Sequence, residues 1–408
     1  MRDLLPEEAA ARRSLARKVL DRFEVFGFSL VTPPVFEFAD VLERGLGTLD
    51  PADVLRFVEP ESGEVAALRP DMTPQIARMI STRMRDRPVP IRLAYEGTVM
   101  RRRSGRARKH RQIPQVGVEL AGAPALEGDL ELLNLAGEGA RAAGLERFAI
   151  DLGDAGVVRS LLAHVPRDAQ RPVSAALARK DEEELAIACR GLDAKIASVL
   201  EALPRLHGGR EALERGVALT TGTPAAAASA RLLALFDAAV ARGLGDHLSA
   251  DLGEVRGLAY YTGTIFHVYA AGTGDAIGSG GRYDELLARF GWDLPAAGYA
   301  LDLDRTAEAL RAAAVDGSRR TRVVVVGGAD DARVRDLRGQ GVVAAAVVGR
   351  DAALAWARAW DFTHLLDAGG WVDVRSGASI ESPSGVSGVT GLGGVSGASG
   401  VTEERGSR

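Results

Sequence analysis

Cysteine is almost absent. Cys189 is the only one in 408 residues, so no intrachain disulfide can form, and no Cys/His cluster has the spacing of a zinc site. No metal or other cofactor is expected. Cys189 lies in "EEELAIACRGL", an Ala/Leu helix pattern, and reads as a small core residue rather than a nucleophile. An excess of positive charge is also missing: the net charge is -4, which argues against generalised nucleic-acid binding. No apolar run reaches the length of a membrane span. The start, "MRDLLPEEAAARRSLARKVL", lacks the apolar segment of a signal peptide, so the expected compartment is the cytoplasm.

What is present is ordinary for a large globular chain: 46% hydrophobic and 26% charged residues, with much Ala and Leu to favour helix. Residues 7–27 carry Leu15, Val19, Leu20, Phe23 and Phe26 at helical spacing, and Gly27 suits the stop. "FSLVTPPVFEF" reads as a strand broken at Pro33-Pro34, an edge or crossing point because neither proline donates a ladder bond. "LRFVEPESGEVAALRPDMT" predicts a hairpin, and "TPQIARMISTRM" a helix with Thr73 as N-cap and Pro74 in its first turn. From about 155 to 247 the pattern is helical, an insertion in an otherwise strand-rich core. Residues 320–375 alternate strand and helix and predict a small α/β domain. From 376 to 408 the chain is rich in Gly and Ser and reads as a disordered tail.

"MRRRSGRARKHRQ" (100–112) concentrates seven Arg or Lys and one His between two strand-like runs, "VPIRLAYEGTVMRRR" and "RQIPQVGVELAG". That places "SGRARKH" at a hairpin tip. Gln115 and Glu119 are four apart on the returning strand and so share one face.

Five stretches are then decisive in combination: "LRPDMT" (68–73), the basic hairpin, "VRGLAYYTGTIF" (255–266), "GSGGRYDEL" (278–286) and "AAGYALDLDRT" (296–306). Their order and spacing resemble the catalytic core of histidyl-tRNA synthetase, over roughly residues 1–315. The resemblance implies an α+β fold, the class II synthetase-like antiparallel sheet, with the small C-terminal domain standing for a shortened anticodon-binding domain. It also implies a histidine pocket. Asp71 and Thr73 match the positions that take the ligand ammonium. Arg101 and Arg256 match those that take its carboxylate, as a bidentate cation should. Gln115 matches a residue bridging the backbone groups. Glu119 and Tyr261 match the partners of the imidazole, which needs both an acceptor and a donor. Tyr260 and Tyr283 complete the set.

The nucleotide side departs from the synthetase pattern. Arg103 stands where a glutamate accepts from adenine, and arginine offers no acceptor. Ser104 replaces an arginine, Ala259 an acidic residue, and Asp302 a glycine that makes room for the nucleotide, while Arg305 keeps the motif arginine. A core that keeps its amino-acid pocket and loses its ATP site resembles the regulatory subunits of ATP phosphoribosyltransferase, and "LRPDMTPQIAR" is similar to that family's form. This resemblance implies no catalysis by the chain itself. It implies a short catalytic subunit as partner, L-histidine as effector, feedback inhibition, and a homodimer within a hetero-octamer, without nucleic acid or membrane. The alternative is an active histidyl-tRNA synthetase or another histidine-binding paralogue. The basic tip 104–110 is either a solvated loop or a contact to the catalytic subunit.

Overall fold

The computed structural model describes residues 3–46, 54–101, 112–255, 260–313, 321–328 and 330–390. The chain divides into two compact units, 1–315 and 316–408. The first opens with helix α1 (Pro6–Val25), which buries Leu15, Ala16, Val19 and Phe23, one stripe at helical spacing, and has Glu7 and Glu8 in its first turn where the helix dipole favours them. Gly27 takes φ 84°, a left-handed turn that ends the helix. Strands β1 (Ser29–Val31) and β2 (Phe36–Phe38) lie on either side of the tandem prolines. Helix α2 (Ala39–Leu46) follows, then β3 (Arg56–Val58) and β4 (Val65–Leu68), which form the expected hairpin beside β2. Helix α3 (Thr73–Arg83) leads to the long hairpin of β5 (Ile91–Met100) and β6 (Gln112–Ala121).

The main sheet continues with β7 (Phe148–Asp154) after helix α4 (Ala125–Ala143). The segment between β7 and β9 is helical, as α5 (Ala155–Leu162), α6 (Arg167–Arg179), α7 (Glu182–Ala188), α8 (Ala194–Ala202), α9 (Arg210–Thr220) and α10 (Ala226–Ala239), with one short strand, β8 (His207–Gly208). Cys189 is buried at the end of α7. The sheet resumes with β9 (Leu248–Asp251), β10 (Thr264–Ala270), β11 (Gly278–Arg282) and β12 (Ala296–Asp302), and helix α11 (Leu303–Ala312) follows. The nine strands run in the order β1-β5-β6-β12-β11-β10-β7-β9-β8. All neighbours are antiparallel except β1–β5 and β7–β9. One face of this sheet, with Val116, Val118, Leu120, Tyr299 and Leu301, packs under α1 and α4. The opposite face carries Gln115, Gly117 and Glu119, and α3 lies over part of it through Ile76 and Ile80. Among the described residues no helix is long and apolar enough to cross a membrane.

The second unit holds β13 (Arg322–Val326), α12 (Ala332–Gly339), β14 (Val343–Val347), α13 (Arg350–Ala359), β15 (His364–Asp367) and β16 (Gly370–Asp373). Its sheet extends to a strand that the tail reading missed, β17 (Ser379–Ile380), paired with β16. The expectation of disorder from 376 onward is corrected as far as residue 390. Val386 and Val389 are buried against Val323, Leu337 and Trp371, and the Trp371 indole donates to the Val389 carbonyl at 3.2 Å. Gly and Ser dominate this stretch, but its spaced valines bury enough apolar surface to order it. Residues 391–408 lie outside the described residues.

Candidate functional site

The site grows from the loop between β4 and α3. Arg69 anchors that loop: its guanidinium donates to the Pro33 and Pro34 carbonyls at 3.0 and 2.9 Å, and to the Thr98 carbonyl at 3.0 Å. Two residues on, the Asp71 carboxylate accepts the Thr73 N–H at 3.2 Å. This changes the role expected of Thr73, which sits inside the first turn of α3 rather than at its cap. With the helix start served by Asp71, the Thr73 hydroxyl is free to donate to Glu119 Oε1 at 2.6 Å. The other Asp71 oxygen accepts from the Tyr260 hydroxyl at 3.0 Å. Arg101 donates through Nε to the Pro70 carbonyl at 2.8 Å, which holds its Nη2 3.8 Å from Asp71 Oδ2.

Asp71, Thr73, Arg101, Glu119, Tyr260, Tyr261 and Tyr283 are thus brought together from four parts of the chain. The three tyrosines form one aromatic wall, with ring centroids 5.0, 5.5 and 6.5 Å apart. Gln115 lies on the same sheet face, opposite Gly97 and Asp302 in the ladder, but forms no hydrogen bond to the others. Arg256 lies outside the described residues, as do Arg103, Ser104, Ala259 and the whole basic tip 104–110.

Glu119 is the most unusual group. It is 3% exposed, and among the described residues its Oε2 has no hydrogen-bond partner. The Tyr283 hydroxyl, in a residue 2% exposed, is likewise unpartnered. Both atoms converge on bare Gly298: a Cβ there would stand 2.1 Å from Glu119 Oε2 and 2.6 Å from the Tyr283 oxygen. Buried polar groups are nearly always paired, so these two orphans facing one glycine single out this spot within the site. Burial pushes the Glu119 carboxyl well above the usual range; the Thr73 hydroxyl opposes this, and the Asp71 charge adds to it. Burial likewise raises the hydroxyls of Tyr260 and Tyr261. Tyr261 is only half-buried and lies against Gly281, so the phenol beside Glu119 over Gly298 is that of Tyr283.

The "GGRYD" stretch divides into two jobs. Arg282, 3% exposed, donates to Asp129 at 2.7 Å and Asp284 at 2.8 Å. Asp129 also accepts from the Thr264 hydroxyl at 2.6 Å. The Arg282 carbonyl accepts the Thr262 N–H at 2.8 Å, which ties the Tyr260-Tyr261 segment beside Tyr283. Arg159 of α5 donates to the Tyr261 carbonyl at 2.9 Å, a direct link from the helical insertion to the pocket wall.

Known proteins are similar to this chain. The family model for histidyl-tRNA synthetase matches residues 1–306. An ATP phosphoribosyltransferase regulatory subunit of Syntrophotalea carbinolica is 37% identical over 388 residues, covering 90% of this chain and 89% of that protein. One of Anaeromyxobacter dehalogenans is 43% identical over 316 residues, covering 76% and 90%. The chain belongs to the histidyl-tRNA synthetase family, among the ATP phosphoribosyltransferase regulatory subunits. A solved structure from Bacillus halodurans, described as an ATP phosphoribosyltransferase regulatory subunit/histidyl-tRNA synthetase, superposes with a TM-score of 0.77 at 26% identity, covering 90% of this chain and 96% of that one. The histidyl-tRNA synthetase of Nostoc shares the fold, with a TM-score of 0.76 at 20% identity, covering 93% and 95%.

Asp302 stands where the synthetase pattern has glycine, and its carboxylate caps α11, accepting from the Asp304 and Arg305 N–H groups at 3.1 and 3.2 Å. Arg305, the remaining motif arginine, is engaged by the protein's own groups. It donates to the Ala276 carbonyl at 2.9 Å and to Asp275 at 2.6 Å, and lies 3.5 Å from Asp302. One buried residue beside this cluster is not among those the sequence pointed to. Tyr95, on β5, is 1% exposed and faces Gly117 across the hairpin. Its signal was the pairing of a tyrosine with a glycine, readable only once the register is known.

Proposed function

We propose that the chain is a non-catalytic, cytoplasmic regulatory subunit that binds L-histidine between Asp71, Thr73, Arg101, Gln115, Glu119 and the tyrosine wall, and conveys feedback inhibition to a short catalytic subunit that needs it for activity. One observation carries this reading: the buried, unpartnered Glu119 Oε2 beside the unpartnered Tyr283 hydroxyl. A ring with one donor and one acceptor nitrogen satisfies both at once. The commitment of Arg305 to Asp275 and Asp302 supports the absence of adenylation chemistry. Histidine inhibits by linkage, through binding more tightly to an arrangement of the pocket that disfavours the active complex.

The test is phosphoribosyl-ATP formation by the short catalytic subunit, with and without this chain, across a histidine titration. Stimulation followed by histidine-dependent inhibition is expected. No effect from folded protein, together with histidine-dependent ATP–pyrophosphate exchange, would instead make the chain a synthetase.

The regulatory chain is further read as a homodimer within a hetero-octamer. Support comes from the small sheet β2-β4-β3. Phe36, Phe38 and Phe57 share one face, are 37–41% exposed, and set the Phe36 and Phe57 rings 5.5 Å apart. An apolar face of this kind marks a docking surface. Phe36→Glu combined with Phe57→Glu is expected to convert dimer to monomer in sedimentation velocity, with the melting temperature of the monomer retained. A dimer that persists in the double variant places the contact elsewhere.

A further inference from the structure

The middle of the pocket floor is occupied by a residue to which nothing has assigned a role. On the β5–β6 hairpin, Leu93 stands opposite Glu119, Tyr95 opposite Gly117, and Gly97 opposite Gln115. Residues directly opposite in an antiparallel pair project to the same face. Tyr95 therefore rises from the sheet midway between Gln115 and Glu119, on the side where the pocket lies. Its ring then folds flat across the neighbouring strand: a Cβ on Gly117 would come within 2.4 Å of both its Cζ and its hydroxyl oxygen. Any other residue at 117 would force the ring off the floor, so the glycine and the tyrosine form one device.

The hydroxyl ends up among the site's charged groups. Burial pushes it well above the usual phenol range, and the charges of Glu119, Asp71 and Tyr261 raise it further while Arg101 lowers it. These four groups belong to β6, the loop before α3, the segment before β10 and the end of β5. The Tyr95 hydroxyl has no hydrogen bond among the described residues, whereas Asp71, Thr73 and Tyr260 are already bonded to one another or to Glu119.

We infer that Tyr95 is a ligand-binding residue, its hydroxyl hydrogen-bonding the bound amino acid from the floor of the pocket between Gln115 and Glu119. The inference rests on the histidine reading of this pocket, and the experiment separates the two. L-Histidine binding to the full chain is measured by calorimetry for wild type, Tyr95→Phe, and protein carrying 3,5-difluorotyrosine at position 95. Loss of one buried hydrogen bond weakens binding about tenfold, and that is the result expected of Tyr95→Phe. The fluorinated residue keeps ring and hydroxyl but makes the hydroxyl a stronger donor and weaker acceptor. Affinity moves if the hydroxyl touches ligand and stays if the ring only packs, so this variant decides even if Tyr95→Phe folds poorly. Wild-type binding with both variants within twofold overturns the role of Tyr95 and leaves the histidine reading standing. Absence of histidine binding by folded wild type overturns both.

Discussion

Arg282→Met is expected to cost about 3–5 kcal/mol of stability in urea denaturation, the scale for removing one partner of a buried ion pair. Arg282 is enclosed, and its guanidinium holds Asp129 and Asp284 while its Nη2 reaches the Pro124 and Ala125 carbonyls at 3.4 and 3.2 Å. Methionine fills similar volume but leaves Asp129 buried beside the Thr264 hydroxyl alone. Burial already raises the Asp129 carboxyl, and Arg282 is the main force lowering it. Without Arg282 the folded pKa climbs further. The folded state then holds a proton that the unfolded state has lost, so the variant weakens as pH rises above the ordinary carboxylate range. The loss should be smaller at pH 5 than at pH 8. Arg282→Met/Asp129→Leu removes both charges and should recover much of the stability. A single-variant loss below about 1 kcal/mol, the size of an ordinary surface pair, would show that the network is not structural. The functional consequence is local: the Arg282 carbonyl and the neighbouring Tyr283 set the tyrosine wall, so the double variant reports whether pocket geometry survives without the ion pair.

The same motif illustrates what the sequence discloses. Periodicity and turn residues made α1, the β3–β4 and β5–β6 hairpins, the helical segment and the small α/β unit legible, because each depends on spacing within one stretch. The resemblance singled out Asp71, Thr73, Glu119, Tyr260, Tyr261 and Tyr283, and the structure sets them side by side. It did not separate Arg282, which holds the fold, from Tyr283, which faces the pocket, since both sit in one five-residue run. Thr73 looked like a helix cap because Ser or Thr before a proline usually is one. Only the fold reveals that Asp71 serves the helix start instead. Arg69 reads as one more arginine in "LRPDMT", yet it ties that loop to both carbonyls of the proline pair. Tyr95 and Gly117 lie 22 positions apart, and their contact depends on a hairpin register that no local pattern sets. The tail from 376 to 390 was misread because composition averages away three or four well-placed apolar side chains.

Glu119→Gln should move stability and ligand binding in opposite directions, the largest functional effect expected in the molecule. In the ligand-free protein, burial and the Asp71 charge raise the Glu119 carboxyl well above its ordinary value. Between that ordinary value and the raised folded one, the folded state binds a proton that the unfolded state has released. By linkage, stability falls as pH rises through this window. Below the ordinary carboxylate pKa both states are protonated and Glu119 carries no penalty. Glutamine keeps an acceptor for the Thr73 hydroxyl and cannot ionise. Its melting temperature should therefore match wild type near pH 4 and exceed it by a margin that grows up to pH 8. Binding should respond the other way. A ring held between Glu119 and Tyr283 draws on the carboxyl's ability to carry charge, and a hydrogen bond to a charged group is worth about 1.5–3 kcal/mol. That corresponds to roughly 10- to 100-fold more histidine for half-inhibition of the complex. Glu119→Ala should lose at least as much binding, and Arg101→Ala should also raise the histidine requirement while leaving the fold intact. Melting curves with and without saturating histidine, at pH 5 and pH 8, give both quantities in one experiment. If the glutamine variant is no more stable at pH 8 and binds histidine like wild type, then Glu119 is an ordinary buried carboxyl, and the pocket over Gly298 is not where the effector sits. If it gains stability and loses the ligand, the protein keeps an unfavourable buried acid because histidine needs it there.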